Sequence, residues 1–387
     1  MIRRRNLART LRKVVAEPGY AVQAFNRRFR STMSYKFSRG RSAYPETISL
    51  FLTYQCNLRC KMCGQWGEGG SSRGYTPEVL RSRLSVDEIR AVIDDVKSFR
   101  PNVTLFGGEP LMYKEWPDVV TCVKEAGLRC NMITNGTLLE RNAEKVVELG
   151  VDEIIFSLDG PREVHDEMRS AAGTFGKACA GLQAIAALRK SLGRENPRVN
   201  ISSTIFEVNY RRLGEIVDVA EAIGAASITF HHLIFISVCT YERHCQTFGK
   251  RFDVMCSDWA GFMRDQLPDI DVDVLLETVR QLRQRQSSVD ISFYPNFTEE
   301  EIRRYYTSFE FIPSSYKPRC MSPWMVAYVF PDGTVRPCQS LNFVAGSIRE
   351  HTFREVWNSE RYKEFRRAVK SEGMFPVCSK CTELYRF

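Results

Sequence analysis

Six short apolar runs alternate with helical patterns between residues 48 and 235, and this alternation restricts the fold more than any other feature. Strands are predicted at residues 48–54, 103–106, 130–134, 153–158, 199–206 and 227–235. Helices are predicted at residues 85–99, 116–126, 143–149, 175–192 and 210–223. Such alternation is typical of repeated β/α units that form a parallel sheet. Six strands are too few to close an eight-stranded barrel, so an α/β fold with an open sheet is predicted.

Helix ends carry their own signals. Ser85 and Glu88 form the S-x-x-E pattern of a capping box at the start of the first helix. Glycines at positions 127, 150, 193 and 224 follow four helices as C-terminal stops. After the alternating region, helices are predicted at 254–266 and 272–285, and one more short strand at 291–295.

Three cysteines follow the first strand at C-x3-C-x2-C spacing: Cys56, Cys60 and Cys63. Cysteine thiolates are the usual ligands of iron–sulfur clusters, normally four per cluster. A triplet without an adjacent fourth cysteine therefore indicates a cluster with one iron open to another molecule. The alternatives are a zinc knuckle or three unrelated buried cysteines.

Polar turns also follow the next three strands. The second strand ends at Gly107-Gly108-Glu109-Pro110, the third at Asn135-Gly136 and the fourth at Ser157-Leu158-Asp159-Gly160. Glycines let a backbone approach a ligand closely, and the carboxylate of Glu109 can pair with an ammonium group. Because sites in parallel sheets gather at the carboxyl ends of the strands, these turns are expected to form one site with the cysteines.

These four motifs, in this order, resemble those of the radical S-adenosylmethionine (radical SAM) superfamily over residues 46–236. The resemblance implies a partial (β/α)6 barrel in which Cys56, Cys60 and Cys63 hold a [4Fe–4S] cluster that binds S-adenosylmethionine. It further implies reductive cleavage of S-adenosylmethionine to a 5′-deoxyadenosyl radical, which abstracts hydrogen from a substrate.

The resemblance also implies roles for single residues. Gly107, Gly108 and Glu109 would hold the methionine amino group, and Met62 would meet the adenine through its backbone. Further cofactor contacts are expected from Asn135 and Ser157, to the ribose or the carboxylate, and from Arg169, to the methionine carboxylate. Arg169 as a surface arginine is the alternative.

His231 and His232 end the sixth predicted strand, so one of them is expected to face the cavity as a substrate-binding or proton-transfer group. A core histidine is the alternative. Cys239, Cys245 and Cys256 form a looser triplet near His244, which could hold an extra cluster.

Four further cysteines lie in the C-terminal region, at Cys320, Cys338, Cys378 and Cys381. The residues between the first two read as a hairpin around Pro-Asp-Gly, which would bring its flanking cysteines together. Four thiolates in this layout can close one site, for zinc or for a [4Fe–4S] cluster. The spacing Cys320, Gly333, Cys338 resembles the opening of the SPASM extension of radical SAM enzymes. No further cysteine follows Cys381, so a shortened, SPASM- or twitch-like domain with one auxiliary [4Fe–4S] cluster is expected, with zinc as the alternative.

The net charge of +9 is concentrated at the N-terminus. Residues 1–41 carry twelve Arg or Lys against one Glu, a charge of +11, which leaves −2 for the rest of the chain. Apolar residues at helical spacing (Leu7, Leu11, Val14 and Val15) predict a short basic amphipathic helix in this arm. It could lie on an anionic membrane surface, dock a partner or pack on its own barrel. The nearly neutral body makes a nucleic-acid role unlikely on charge alone.

The predicted organisation has four parts: a basic N-terminal arm (1–45), a radical SAM partial barrel (46–236), a helical bridge (237–318) and an auxiliary cluster domain (319–387). The glycine- and serine-rich loop at 65–83 is either a lid over the site or a disordered insertion. Thirteen cysteines without a visible export signal favour a reducing, cytoplasmic compartment, with the N-terminal arm at a membrane surface as one option.

The function expected from these features is an oxidoreductase-type radical SAM enzyme. The substrate radical would lose an electron to the auxiliary cluster, with net oxidation or bond formation. The short N-terminal arm and the reduced cysteine set favour a small-molecule, sugar or lipid substrate over a peptide. A reducing electron donor such as flavodoxin or ferredoxin is required. The alternatives are a peptide- or protein-modifying maturase and, in another class, a non-enzymatic iron–sulfur binding or electron-transfer protein.

Overall fold

A computed structural model describes residues 18–387, and its centre is one ten-stranded sheet in the order β10-β9-β8-β1-β2-β3-β4-β5-β6-β7. The strands are β1 Thr47–Phe51, β2 Asn102–Phe106, β3 Arg129–Thr134, β4 Glu153–Ser157, β5 Arg198–Thr204, β6 Ser227–His231, β7 Asp290–Tyr294, β8 Val326–Val329, β9 Thr334–Arg336 and β10 Gly346–Ser347. Strands β1 to β7 are parallel neighbours in chain order. This confirms the predicted α/β class and all six predicted strands.

The helices connect and flank these strands. They are α1 Pro18–Phe37, α2 Pro77–Arg81, α3 Val86–Val96, α4 Trp116–Glu125, α5 Ala143–Glu148, α6 Arg162–Met168, α7 Thr174–Ser191, α8 Leu213–Ala222, α9 Val238–His244, α10 Lys250–Phe252, α11 Val272–Gln284, α12 Glu299–Thr307, α13 Ser322–Met325, α14 Phe353–Trp357 and α15 Glu360–Glu372. The capping box is present: the Ser85 hydroxyl accepts from the Glu88 N–H, and the Glu88 carboxylate accepts from the Ser85 N–H. Glycines 127, 150, 193 and 224 all have positive φ, as C-terminal stops require.

The order of the strands decides where the helices go. When each parallel strand lies beside the next one in the chain, right-handed crossovers bring all the connecting helices to one face of the sheet. Ile154 and Phe156 of β4 point to that face and are fully buried, whereas Ser157 points to the other face and is half-buried. The connecting helices therefore leave the other face of the sheet uncovered at the carboxyl ends of its strands, where the C-terminal segment reaches it: the Tyr294 hydroxyl donates to the Thr382 carbonyl (3.0 Å).

The C-terminal region continues the barrel sheet. β8 pairs in parallel with β1, with Thr47 opposite Val326, and β8 and β9 form the predicted hairpin with Gly333 at φ +85°. At the opposite edge, β7 is the predicted extra strand and extends the sheet beyond β6. The auxiliary region and the barrel consequently share one backbone hydrogen-bond network.

Between β6 and β7 the predictions succeed only in part. The helix predicted at 272–285 is α11, and the Asp271 carboxylate caps its start. The helix predicted at 254–266 is wrong, because this stretch contains only the 3-10 turn Ser257–Phe262. The turn packs so tightly that a Cβ on Gly261 would lie 2.9 Å from the Gly64 carbonyl oxygen. Long-range packing, which periodicity cannot reveal, sets this conformation.

The helix predicted around residues 7–15 lies outside the described residues. The following helix, α1, is attached to the body: the Ser31 hydroxyl donates to the Trp324 carbonyl (3.1 Å), and Arg28 pairs with Glu46 (2.8 Å). Among residues 18–387, no helix has the length and apolar content needed to cross a membrane.

Candidate active site

The cysteine loop that follows β1 is held by N–H groups directed at all three sulfurs. The Leu58 N–H donates to Cys56 Sγ (3.5 Å), the Trp66 N–H to Cys63 Sγ (3.4 Å) and the Arg169 guanidinium to Cys60 Sγ (3.6 Å). N–H···S contacts of this kind stabilise thiolate charge and tune the potential of iron–sulfur clusters. Each thiol of the predicted triplet thus has a donor that would stabilise its charge.

The pKa values of these thiols also agree with a role as cluster ligands. Burial, with smaller contributions from the nearby charges of Glu109, Cys60 and Cys63, raises the pKa of Cys56 to about 12. Burial also raises the pKa of Cys60, against the lowering effect of Arg169. Thiols that repel one another in a shielded loop ionise when a cationic metal centre binds them. The donor set thus fits an iron–sulfur cluster.

The glycines of the turn after β2 are required by the protein's own backbone. The Gly108 N–H donates to the Thr53 carbonyl (2.8 Å) and the Glu109 N–H to the Gln55 carbonyl (2.9 Å). A Cβ on Gly108 would lie 2.0 Å from the Gln55 oxygen, and one on Gly107, at φ +147°, 2.6 Å from the Thr53 oxygen. The sequence indicated close approach to a ligand, but the closest neighbour is the segment that leads into Cys56. The glycines thereby fix the turn against the cysteine loop.

Glu109 is a buried acceptor at the centre of this arrangement, with 1% of its surface exposed. One carboxylate oxygen accepts from the Thr134 hydroxyl (2.7 Å) and the Leu111 N–H (3.1 Å), and the other accepts from the Asn135 N–H (2.9 Å). Burial raises the pKa of Glu109 to about 7, although these hydrogen bonds oppose the shift. A cationic ligand at this carboxylate would offset the cost of its burial.

Arg169 forms a buried ion pair with Asp159, and it is not a surface arginine. Its guanidinium lies between the Asp159 carboxylate and Cys60 Sγ, and its Nε has no acceptor among residues 18–387. The other Asp159 oxygen accepts from the Thr204 N–H (2.9 Å), which ties the pair to the end of β5. Asp159 belongs to the Ser157-Leu158-Asp159-Gly160 turn, but the sequence did not indicate a role for it. The structure identifies it as the residue that positions Arg169.

Polar side chains form rows on the face of the sheet that the connecting helices leave uncovered. Register places Ser157, Ser202, Thr229 and Ser292 side by side on β4 to β7. At the next level towards the carboxyl ends, His231 lies between Thr204 and Tyr294, with its ring 5.5 Å from that of Tyr294. This polar face is where a substrate with hydrogen-bonding groups can lie.

The remaining predicted contacts surround the cysteine loop. The Asn135 side chain donates to the Asn57 side chain (3.0 Å), one residue after Cys56. Met62 is half-buried, and the adjacent Lys61 N–H donates to the Met168 carbonyl (2.9 Å). Both residues therefore border the same loop.

His232, one of the two predicted histidine candidates, does not lie on the polar face. Its ring packs among Phe297, Tyr305 and Tyr306, with 1% of the residue exposed. Burial lowers the pKa of His232 to about 3, so the ring stays neutral. Successive residues of a strand point to opposite sides, so only one of the pair can face the cavity. His231 is therefore the remaining candidate for a histidine that binds substrate or transfers a proton.

The loop at 65–83 is folded against the cysteine loop. The Ser71 N–H donates to the Gly64 carbonyl (3.0 Å) and the Ser72 N–H to the Gln65 carbonyl (2.9 Å). Trp66 is buried, with its indole N–H donating to the Tyr54 carbonyl (2.9 Å). These contacts contradict the disordered alternative, because the first part of the loop packs against the cysteine loop; the lid stays a prediction.

The four C-terminal cysteines line one cavity. Its wall consists of Trp259, Cys320, Ser322, Pro323, Pro337, Cys338, Leu341, Phe365, Val369, Met374, Phe375, Cys378, Cys381, Glu383 and Leu384. Burial raises the pKa of all four thiols, that of Cys381 to about 12, and neighbouring cysteines raise those of Cys320, Cys338 and Cys378 further. The indole Nε1 of Trp259 is a buried donor without an acceptor among the described residues. Four thiols and an unpaired donor around one apolar cavity fit a metal cluster that carries sulfide.

Zinc is the alternative metal for this site. A single zinc ion draws its ligands to about 2.3 Å from one point. Within residues 18–387, no group of three or more His, Cys, Asp or Glu side chains converges closely enough to hold one metal ion. Neither the four C-terminal cysteines nor Cys56, Cys60 and Cys63 form such a group among the described residues. The looser triplet is not such a group either: Cys239 is exposed, whereas the buried Cys256 thiol is hydrogen-bonded to Cys245.

The turn Ser257–Phe262, which the sequence did not single out, contacts both cysteine sites. A Cβ on Gly64, next to Cys63, would lie 2.2 Å from the Phe262 ring. Trp259 lines the cavity of the C-terminal cysteines, and its ring centroid is 5.3 Å from that of Phe262. Two aromatic residues therefore connect the two sites.

Family comparisons match both parts of this arrangement. Residues 50–220 match the model of the radical SAM superfamily, and residues 320–382 match SPASM, an iron–sulfur cluster-binding domain. The first match contains the cysteine triplet and the turns after β2 to β4. The second contains all four C-terminal cysteines.

Two curated relatives from Methanosarcina barkeri (strain Fusaro / DSM 804) align over most of the chain. An AdoMet-dependent heme synthase is 29% identical over 86% of this chain and 88% of its own length. An Fe-coproporphyrin III synthase is 28% identical over 79% of this chain and 72% of its own length.

Solved structures show the same fold. Streptococcus suis SuiB bound to S-adenosylmethionine superposes with a TM-score of 0.59 at 14% identity, over 88% of this chain and 71% of that one. Native anSMEcpe with bound AdoMet superposes with a TM-score of 0.54 at 17% identity, over 82% of each chain. At these identities the likeness is one of fold.

Proposed function

Since this chain belongs to the radical SAM superfamily and carries an iron–sulfur-binding SPASM domain, we propose that it oxidises a porphyrin-type tetrapyrrole on the polar face of its sheet. The observation that carries the substrate class is the alignment with synthases of Fe-coproporphyrin III and heme over 79–86% of the chain. A pre-heme d1 synthase from Dinoroseobacter shibae, 28% identical over 48% of the chain, is named for the same class of molecule.

The first cluster and S-adenosylmethionine together supply a carbon radical that removes a hydrogen atom from the substrate. Cys56, Cys60 and Cys63 hold the cluster, and Glu109 accepts the methionine ammonium, because it is a buried carboxylate whose present partners are all neutral donors. Around it, Met62, Asn135 and Ser157 orient the nucleoside, and Gly107 and Gly108 keep the turn close to the loop. Arg169, already at Cys60, would pair with the methionine carboxylate through its Nε, which has no acceptor within residues 18–387.

The substrate lies against the rows of hydroxyl groups, with His231 at the carboxyl edge. Hydroxyl, imidazole and phenol groups can hydrogen-bond the polar substituents of a flat macrocycle while its apolar ring remains out of water. His231 is half-buried and therefore accessible for binding or for accepting a proton.

Oxidation requires that the substrate lose one electron after the hydrogen atom. The auxiliary cluster in the cavity of Cys320, Cys338, Cys378 and Cys381 is the acceptor we propose. The indole N–H of Trp259, which has no acceptor among the described residues, would donate to this cluster, because a buried donor without a partner is costly. An external one-electron donor of the flavodoxin or ferredoxin type supplies the electron that cleaves the sulfonium.

The chemistry belongs in a reducing compartment, for which we propose the cytoplasm. All thirteen cysteines lie within the described residues and none forms a disulfide. Exposed iron–sulfur chemistry and free thiols persist best where thiols are kept reduced.

A peptide substrate is the second candidate that the sequence left open. SuiB has also been solved bound to the precursor peptide SuiA, but the likeness at 14% identity is one of fold. The non-enzymatic alternative is set aside, because both cysteine sites and the full set of turns belong to an enzyme superfamily.

Anaerobic reconstitution followed by assay of 5′-deoxyadenosine tests the proposal. Iron coproporphyrin should stimulate 5′-deoxyadenosine formation and be converted to an oxidised product, whereas an unstructured peptide should do neither. Cys56→Ala should abolish 5′-deoxyadenosine altogether. Uncoupled cleavage that no tetrapyrrole stimulates would refute the substrate class and leave the radical SAM assignment intact.

A further inference from the structure

The helix α1, Pro18–Phe37, is amphipathic, but its orientation is unusual. Its polar face contacts the rest of the protein and its apolar face points to solvent. Val22, Phe25, Phe29, Met33 and Phe37 follow one another at intervals of three or four residues, which places them on one side of a helix. Their exposed fractions are 61%, 66%, 56%, 38% and 72%. We call these five residues the apolar stripe.

The opposite side of the helix is fixed by specific contacts. The Ser31 hydroxyl donates to the Trp324 carbonyl (3.1 Å), and the Tyr35 ring meets the Trp324 ring edge-on at 4.9 Å. Arg28 pairs with Glu46, and the Arg27 guanidinium donates to the Phe99 carbonyl (2.8 Å). These contacts hold α1 in this orientation, so the stripe cannot turn inwards without breaking them.

Positive charge borders the stripe. Residues 18–45 contain six Arg or Lys and no Asp or Glu. Arg30, Lys36, Arg39 and Arg41 make no ion pair with any carboxylate in residues 18–387, unlike Arg28. An exposed apolar strip edged by unneutralised cations is complementary to an anionic lipid surface, where rings enter the acyl boundary and cations meet phosphates.

A groove of about 490 Å³ adjoins the stripe. It is lined by Phe29, Arg30, Met33, Ser34, Ser38, Arg41, Ser42 and Ala43. Apolar side chains and two arginines thus border one recess, which suits a lipid whose chain contacts Phe29 and Met33 and whose phosphate meets Arg30 or Arg41.

From these observations we infer that α1 docks the enzyme on anionic phospholipid membranes as a peripheral protein, with the apolar stripe in the interface. The inference is independent of the substrate class, because it rests only on α1 and its surroundings. A second copy of the chain is the other occupant that an exposed apolar face could have, but two copies would bring like charges together around the stripe.

Vesicle flotation of the full-length protein tests the inference. The wild type should float with vesicles of phosphatidylcholine plus phosphatidylglycerol and remain in solution with phosphatidylcholine alone. Removing two rings with Phe25→Ser and Phe29→Ser should lower the partition coefficient by about tenfold or more, because full burial of one such side chain is worth about that factor. Arg30→Gln with Arg41→Gln should lower it about fivefold per charge.

The matched control replaces two exposed apolar residues elsewhere, Met255→Ser and Ile312→Ser, which are 76% and 55% exposed. This control should float like the wild type. Three results would overturn the inference: no flotation of the wild type, equal flotation of the Phe25/Phe29 variant, or a lipid-free dimer that this variant converts to a monomer. The last result, seen by light scattering, would assign the stripe to a second copy.

Discussion

Replacing Glu109 with glutamine probes the contact on which cofactor binding most depends. The substitution keeps the shape of the side chain and removes its charge. Thr134, Leu111 and Asn135 all donate to the carboxylate, so the amide NH2 group of glutamine would also face a donor. A hydrogen bond to a charged group is worth about 1.5–3 kcal/mol, so we expect S-adenosylmethionine to bind about 10- to 150-fold more weakly to the variant.

The affinity for S-adenosylmethionine should also depend on pH, and the pKa of Glu109 predicts by how much. Burial raises the pKa of Glu109 to about 7, so the carboxylate is ionised above that pH and protonated below it. Because an ammonium group binds the ionised form, affinity is full above pH 7 and is lost as the pH falls. A single titration at about 7 weakens binding about 11-fold at pH 6 and only about 1.1-fold at pH 8.

Anaerobic equilibrium dialysis of the reconstituted protein measures both effects. Iron content must match between variants, so that cofactor affinity is compared at equal cluster loading. The control is Glu140→Gln, an exposed glutamate after the third strand, which should leave both affinity and pH profile unchanged. The reasoning fails if Glu109→Gln binds as tightly as the wild type, or if it retains the loss of affinity between pH 8 and pH 6.

Three further outcomes are expected. Trp259→Phe should make the midpoint potential of the auxiliary cluster more negative by roughly 20–60 mV in an EPR titration, because one donor to the reduced cluster is lost. Trp324→Phe, which also removes a buried unpaired indole N–H but lies outside the cavity, should leave that potential unchanged. Gly108→Ala should lower the free energy of unfolding, measured by urea denaturation, by about 1–3 kcal/mol, because the new Cβ would overlap the Gln55 oxygen. The control is Gly74→Ala, whose Cβ would meet no atom within 4 Å and which should leave the free energy of unfolding unchanged. Cys378→Ala should reduce bound iron by about four atoms while uncoupled 5′-deoxyadenosine formation persists; loss of all iron would contradict two separate sites.

The sequence by itself determined the local elements and the chemical inventory. The six strands from β1 to β6, the helices between them, the Ser85 capping box and the glycine stops depend on neighbours within a few residues, and these were found where predicted. The spacing of the cysteines and their position after strand ends was enough to indicate one site at the carboxyl edge, because parallel strands bring those ends together.

Only the tertiary structure decided which long-range partners these residues have. It separated His231 from His232 through the register of β6, replaced a predicted helix with the turn Ser257–Phe262, and paired Arg169 with Asp159. It also turned the apolar side of α1 away from the protein. Periodicity reports that one side of a helix is apolar, but the direction of that side follows from contacts between residues hundreds of positions apart, such as Ser31 and Trp324.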